Sequence, residues 1–336
     1  MVLCIANPAA NRGGSRALQH HLRETAQAAG ATWAETRYPR HATELAAQAG
    51  MNGTKIVVAI GGDGTVHEVV NGLMQIPQPI RPILSVLPAG TGNDFALGAR
   101  LTVDPMRGLK HVLGMKDEGT RQSPIPNPQS LTSIDIGWVQ DQSGKSEYWD
   151  NTLGIGFDAA ANLQARRITN LRGFPMYLLA VLRTIAQNFN AANTEMLIDG
   201  VPLTQAVMML TLGNGPREGG GFITTPSSKM DDGLLDFALV QQLSRFQMLQ
   251  LLPKVMNGTH IHSKHVRMGQ AKSLQLKLDR ALPIHIDGEV FSVDTSRELT
   301  ISLLPSALQV LLPSKQPSKG KNRGTADFTI PPSSYA

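Results

Sequence analysis

The residues that could do chemistry begin with Asp63. It stands in Gly61-Gly62-Asp63-Gly64-Thr65, directly after the apolar run Ile56-Val57-Val58-Ala59-Ile60. A strand-to-helix turn has no structural need of a carboxylate, so an acid among three glycines points to a ligand. Glycines let the backbone approach an anion, and the N–H groups opening the next helix point at it. A carboxylate in that place can hold a metal ion or orient a nucleophile in phosphoryl transfer. The plain alternative is a tight turn with an incidental acid. Glu289 is the second candidate. It follows Ile286-Asp287-Gly288, a strand running into a glycine turn that presents an acidic side chain at a loop tip. To act as a base on an alcohol it needs burial or a neighbouring carboxylate, because an ordinary glutamate near pKa ~4.3 is too weak.

The elements that must position these acids follow from periodicity. Segments 2–6, 33–38, 55–60 and 83–87 read as strands. Residues from Ser15 (as N-cap) to Ala29, 42–50 and from Val66 onward read as helices. Alternating strand and helix predicts a parallel sheet covered on both faces. The turns 7–14, 61–65 and 88–94 then meet at its carboxyl edge, where open α/β sheets bind ligands. A proline-bearing polar stretch within 116–132 reads as a linker. Beyond it, strand-like segments at 134–140, 147–155, 195–198, 206–212, 234–240 and 274–278 predict a β-sandwich. Helices interrupt it at 157–189, broken at Gly173-Phe174-Pro175, and at 244–256. The expected organisation is an α/β domain over 1–125, a β-sandwich over 131–299, residues 300–312 that either continue the sandwich or return to the first domain, and a disordered tail over 313–336.

Composition narrows the function. The chain has 336 residues, 41% apolar and 17% charged, with net charge +5. Lys315, Lys319, Lys321 and Arg323 against Asp327 put +3 of that in the tail, which leaves the body near +2. With 5% aromatics, this argues against nucleic acid as a partner. The single Cys4 excludes a disulfide framework and a cysteine-only zinc site. No apolar run nears the ~20 residues of a membrane span, and the N-terminus does not read as a signal peptide. A cytoplasmic protein is expected.

Four blocks occur in order: Gly61-Gly62-Asp63-Gly64-Thr65; Pro88 to Phe95 with Gly90-Thr91-Gly92-Asn93-Asp94; Gly219-Gly220-Gly221 with Met230-Asp231-Asp232-Gly233; and Ile286-Asp287-Gly288-Glu289. Together they resemble the diacylglycerol kinase catalytic family in its soluble bacterial lipid-kinase form, related to sphingosine and ceramide kinases. The resemblance covers residues 1–312. The first block alone also occurs in NAD kinases; the second and the paired Asp-Gly turns are far more specific. The family resemblance implies a Rossmann-like nucleotide domain followed by a β-sandwich, with the active site between them. It implies ATP as donor, Mg²⁺, and the hydroxyl of diacylglycerol or a related neutral lipid as acceptor. Carried over residue by residue, nucleotide contacts fall on Asn7, Pro8, Ala9, Ala10, Asn11, Thr36, Gly61, Gly62, Asp63, Gly64, Thr65, Val66, His67 and Thr91. Glu289 becomes the general base, with Asp63 the other candidate. Asp232 by its side chain, and Lys229 and Leu234 by their carbonyls, become a second Mg²⁺ site; a simple Asp-Gly turn is the alternative there. Asn11 before Gly13-Gly14 departs from the family's first turn, which displaces that loop.

With no anchor, a lipid substrate is met at a membrane surface, by transient association. Arg166, Arg167 and Arg172 ahead of Phe174, Met176, Tyr177 and Leu178 suit a bilayer interface, or the solvent face of an ordinary helix. A homodimer is compatible with the chain. Gly154-Ile155-Gly156-Phe157-Asp158-Ala159 imitates a dinucleotide fingerprint but lies outside a βαβ context. His260, His262 and His265 lack partner spacing for a metal. Two rivals stand beside the lipid kinase: an NAD-kinase-type enzyme acting on a soluble dinucleotide, and a nucleotide-binding regulatory protein without turnover.

Overall fold

The computed structural model describes residues 1–101, 104–115, 131–187 and 189–312. The proline-bearing stretch up to residue 130 and the expected tail at 313–336 lie outside the described residues. The first half alternates β1 (Val2–Ala6), α1 (Arg16–Ala28), β2 (Thr32–Glu35), α2 (His41–Met51), β3 (Ile56–Gly61), α3 (Asp63–Leu73), β4 (Ile83–Pro88), α4 (Asp94–Gly98) and α5 (Pro105–Val112). Its strands pair in parallel in the order β2-β1-β3-β4. β3 is buried along its whole length, as a β-branched strand between two helical layers must be. Val57 and Ala59 face one core with Val66, Val69 and Leu73; Ile56, Val58 and Ile60 face the other with Leu22, Ala26 and Leu109.

The second half comprises β5 (Leu131–Asp141), β6 (Ser146–Trp149), β7 (Thr152–Gly156), α6 (Phe157–Arg166), α7 (Gly173–Ala186), β8 (Ala192–Ile198), β9 (Val201–Val207), β10 (Met209–Gly213), β11 (Leu235–Val240), α8 (Arg245–Met256), β12 (Val266–Ala271), β13 (Ser273–Leu278), β14 (Ile284–Ile286), β15 (Glu289–Ser292) and β16 (Glu298–Leu311). An antiparallel sheet ordered β12-β11-β10-β7-β14-β15 faces a layer containing β16, β13, β8 and β9. Trp149, Leu153, Leu210, Leu274 and Ile301 fill the space between them. A mixed α/β region followed by a β-sandwich is thus the fold, as expected. The two halves share one sheet. β16 pairs antiparallel with β13 and β5, then parallel with β4 where Val310 meets Leu84. It bends at Ser306, whose φ is 50° and whose N–H donates to Asp135 Oδ1 at 2.7 Å.

Four local expectations change. Segment 147–155 is two strands, because the Asp150 and Asn151 N–H groups donate to the Asp287 carboxylate instead of a neighbouring strand. Segment 206–212 likewise divides into β9 and β10. The helical break precedes Gly173-Phe174-Pro175, which forms the first turn of α7, where proline's missing N–H costs nothing. Ser15 caps no helix N–H; its hydroxyl donates to the Ala10 carbonyl at 3.1 Å.

Gly137 faces the fully buried Trp149 across the β5–β6 pair, and a Cβ there would overlap the indole ring. Gly137→Ala is expected to cost about 1–3 kcal/mol through overpacking, measured by urea denaturation. An unchanged midpoint would show that the ring can yield.

Candidate active site

Three loops meet at the carboxyl edge of the parallel sheet, and the sandwich closes over them. The resulting cleft, about 420 Å³, is lined by Asn7, Ala10, Asn11, Gly62, Asp63, Gly64, Thr65 and Thr91 from the first half and by Glu289 from the second. Pro8, Ala9, Thr36, Gly61, Val66 and His67 are not among its lining residues. Thr36 lies just past β2, bonded through its N–H to the Ala6 carbonyl. Val66 belongs to the core.

Glycine at 62 and 90 is a packing requirement, since a Cβ on Gly90 would overlap the Gly62 backbone. Asn93 takes φ 57°, tolerable for asparagine, and bonds both the N–H and the carbonyl of Gly90 at 3.1 Å. Asn7 Nδ2 donates to Thr65 Oγ1 at 3.1 Å, which joins the first loop to the start of α3. The first N–H groups of a helix have no intrahelical partner and carry the positive end of its dipole. In α3 the Thr65 and Val66 N–H groups already bond the Gly62 carbonyl, so the turn ahead of them, Gly62 to Gly64, is the part of the cleft floor that suits phosphate.

Asp63 Oδ1 accepts the Phe95 N–H at 3.1 Å. Burial and the nearby Asp94 carboxylate push its pKa up to about 7. Asp94 Oδ2 accepts the Gly220 N–H at 2.9 Å, while its Oδ1 is buried without a hydrogen-bond partner. Burial raises this acid as well. Arg217 Nε lies 3.8 Å from that oxygen without bonding it, so two adjacent carboxylates with an unbonded oxygen are a donor set that fits Mg²⁺.

Glu289 hangs over this floor: a Cβ on Gly64 would lie 3.2 Å from its Oε1. The neighbour expected to tune it was a carboxylate or a buried wall. The structure supplies an arginine instead. Arg166 Nη2 lies 2.6 Å from Glu289 Oε2 and 2.9 Å from the Gly288 carbonyl. The turn behind Glu289 is held by Asp287, whose carboxylate accepts the N–H groups of Asp150, Asn151 and Thr152 at 2.9–3.0 Å. His67 Nδ1 lies 2.9 Å from Asp287 Oδ2, and its Nε2 lies 3.0 Å from Glu147 Oε1. Burial lowers the imidazole's pKa, but hydrogen bonds to these two carboxylates outweigh it and raise it to about 10.

An apolar pocket adjoins the cleft. Phe157, Val181, Ile185, Met208 and Met248 line it, and Asn162, Tyr177, Glu218 and Gly219 border both spaces. At this neck His285 Nε2 is 3.3 Å from Asp158 Oδ2, which accepts the Thr211 hydroxyl at 2.8 Å. Burial and Asp158 push Glu218 well above the usual carboxylate range. The dinucleotide-like segment belongs here. β7 pairs antiparallel with β10 and β14, which is not a βαβ unit, and Gly154 leaves room for Asp158 and His285.

The sequence reading missed several of these groups. Asp94 and Asp287 lay inside recognised blocks without a role. Arg166 shares one face of α6 with Asp158 and Asn162 at four-residue spacing, the only local signal available. The Lys229–Leu234 loop is outside the cleft lining. Asp232 is exposed and accepts the Leu234 N–H at 3.1 Å, while the Gly233 N–H donates to Asp135 at 2.7 Å. His260 is bonded at 2.9 Å to the Thr224 carbonyl and shares no metal-capable group with His262 and His265 among the described residues.

Comparison with known proteins agrees with this arrangement. Residues 1–120 match the diacylglycerol kinase catalytic domain, and 151–312 match the YegS C-terminal NAD kinase beta sandwich-like domain. The chain is 30% identical to a diacylglycerol kinase of Mycobacterium tuberculosis over 81% of both chains. It is 28% identical to the diacylglycerol kinase of Bacillus subtilis, over 74% of this chain and 75% of that one. A Bacillus anthracis diacylglycerol kinase crystal structure superposes with TM-score 0.66 at 20% identity, covering 93% of this chain and 97% of the other, which shows the fold. The fold and the two matched domains are those of a lipid kinase. The chain belongs to the bacterial family of diacylglycerol kinases and YegS-like lipid kinases.

The raised His67 pKa has a stability consequence. Its folded value, about 10, exceeds the unfolded value of about 6.5. Its contribution is therefore complete below pH ~6.5 and is lost as pH rises toward 10. The stability difference between wild type and His67→Gln, from denaturant unfolding, is expected to shrink steadily over that window. A difference that does not change with pH would contradict a charged His67.

Proposed function

We propose that this kinase transfers the γ-phosphate of ATP to a hydroxyl of diacylglycerol or a related neutral lipid. The observation that carries the reading is the continuity of a phosphate-suited floor with an apolar pocket, with Glu289 above the floor. A nucleotide's phosphates would lie on the α3 N-terminus, with Asn7, Ala10, Asn11 and Thr91 beside them. Asp63 and Asp94 would hold Mg²⁺, which neutralises charge on the transferring phosphoryl group when bound. The acyl chains would enter the apolar pocket, past Tyr177 and Glu218.

Exposed and paired with Arg166, Glu289 lacks the burial or carboxylate neighbour that would strengthen it as a base. It accepts the proton as the lipid hydroxyl oxygen bonds to the γ-phosphorus, in a loose transition state that asks little of the base. The bond from phosphorus to the β,γ-bridging oxygen breaks, and ADP leaves. Glu289 is favoured over Asp63 as base because Asp63 is turned to the Phe95 N–H and the Asp94 pair. Arg166 fixes the Glu289 carboxylate and brings positive charge near the phosphate. That assigns Arg166 to the cleft. Arg172 Nη1 also turns to it, donating to the Asn11 carbonyl at 3.4 Å, which leaves Arg167, with exposed Leu171, Phe246 and Leu249, for a membrane surface. An ion at Lys229–Leu234 would brace its loop, away from the reacting atoms. No helix among the described residues is long and apolar enough to cross a membrane. A soluble dinucleotide acceptor would have no use for the pocket, which weighs against the NAD-kinase-type reading.

The test is transfer of labelled γ-phosphate from ATP with Mg²⁺ to a panel of lipids and to NAD. Label is expected in a neutral lipid alone. Glu289→Gln is expected to lower kcat by about 10²–10⁴ with ATP affinity retained. Label in NAD, or an unchanged kcat in the variant, would overturn the reading or the base respectively.

A further inference from the structure

Helix α3 carries Asp63 in its first turn and His67 one turn later, but His67 reaches out of its own half. Its ring is 4% exposed and lies between two carboxylates of the sandwich half, Glu147 on β6 and Asp287 in the turn before Glu289. A neutral imidazole donates from one nitrogen only, and would turn a lone pair toward the other carboxylate. A charged ring donates to both. The groups around it are consistent with one positive charge held between two negative ones. Arg40 Nη2 lies 3.1 Å from the same Glu147 oxygen, and burial and Asp287 hold the Asp150 carboxyl well above the usual carboxylate range. One turn beyond, Asn71 accepts the Tyr148 N–H at 3.0 Å and donates to the Tyr148 carbonyl at 2.9 Å. Four residues after the floor carboxylate, and two before the base, the halves are tied together.

We infer that His67 is a positioning residue: clasped between Asp287 and Glu147, it fixes the Glu289 turn of the sandwich over the Asp63 floor of the α/β half. The role assigned to Glu289 rests on the lipid-kinase reading above; the clasp itself does not. Asp287 has φ 50° and a carboxylate facing three backbone donors as well as His67. Loss of the imidazole leaves this turn with a buried charge short of a donor, and Glu289 is two residues away.

Two substitutions separate the bonds. Asparagine can place its amide N–H near the position of Nδ1 and keep the bond to Asp287. Glutamine can reach the position of Nε2 and keep only Glu147. His67→Gln is expected to lower kcat for the lipid at least tenfold with less than a twofold change in ATP affinity, and His67→Asn to recover most of it. Amide hydrogen exchange should speed up in His67→Gln at 150–152 and 287–291 together, two segments far from residue 67 in sequence, while α1 stays protected. Unchanged exchange at either segment, or ATP affinity falling in step with kcat, would overturn the clasp. Should the wild type phosphorylate no lipid, the kinase reading falls, and the exchange result still decides the clasp.

Discussion

The Asp287 carboxylate is the constraint on which the site depends. A buried carboxylate left unpaired costs several kcal/mol. Here three backbone N–H groups and the His67 ring surround it. That one arrangement ends β6 and begins β7, bends the chain through a left-handed residue into Gly288, and presents Glu289 to the cleft. It also makes α3, the helix that carries Asp63, a partner of the sandwich. The shared β16 supplies the covalent and sheet continuity between the halves; Asp287 supplies their registration at the site.

The cleft is acidic, although its proposed ligand is a polyanion. Asp63 and Asp94 sit together and Glu218 lies at the neck, and each is raised by burial. The helix dipole is worth ~0.3–1 kcal/mol for an anion at an exposed terminus, too little to offset two ionised carboxylates. A divalent cation held by Asp63 and Asp94 would resolve the conflict, with Arg166 beside Glu289 and Arg217, whose Nε lies 3.8 Å from Asp94 Oδ1, adding positive charge. Glycine at 64 and 92 keeps side chains away from the acids: a Cβ on Gly64 would lie 3.2 Å from Glu289 Oε1, and one on Gly92 2.8 Å from Asp63 Oδ2.

Much of this was legible because its signals are local. The β-branched run of β3, the glycines beside Asp63, the Asn93-Asp94 turn and the Asp-Gly turn before Glu289 all sit within a few consecutive residues. The fold class followed from alternation in the first half and strand-like segments in the second. What was not legible joins residues far apart. Arg166 meets Glu289, His67 meets Glu147 and Asp287, and Asp158 meets Glu218 and His285 only after both sheets have formed. His67 reads as one more residue of a nucleotide loop until the sandwich places two carboxylates on it. Segment 147–155 reads as one strand because nothing in it announces that Asp287 will take its N–H groups.

The central claim is that one site joins a phosphate floor to an acyl pocket. Its most direct measurement is kcat/KM for a series of short, water-soluble diacylglycerols below their aggregation limit, with Met208→Trp beside wild type. Each buried methylene contributes ~0.8 kcal/mol, so the account expects kcat/KM to rise about fourfold per methylene until the pocket fills. The rise should be lost in the variant while ATP affinity is kept. A flat dependence on chain length in wild type, or the same rise in both proteins, would contradict the account.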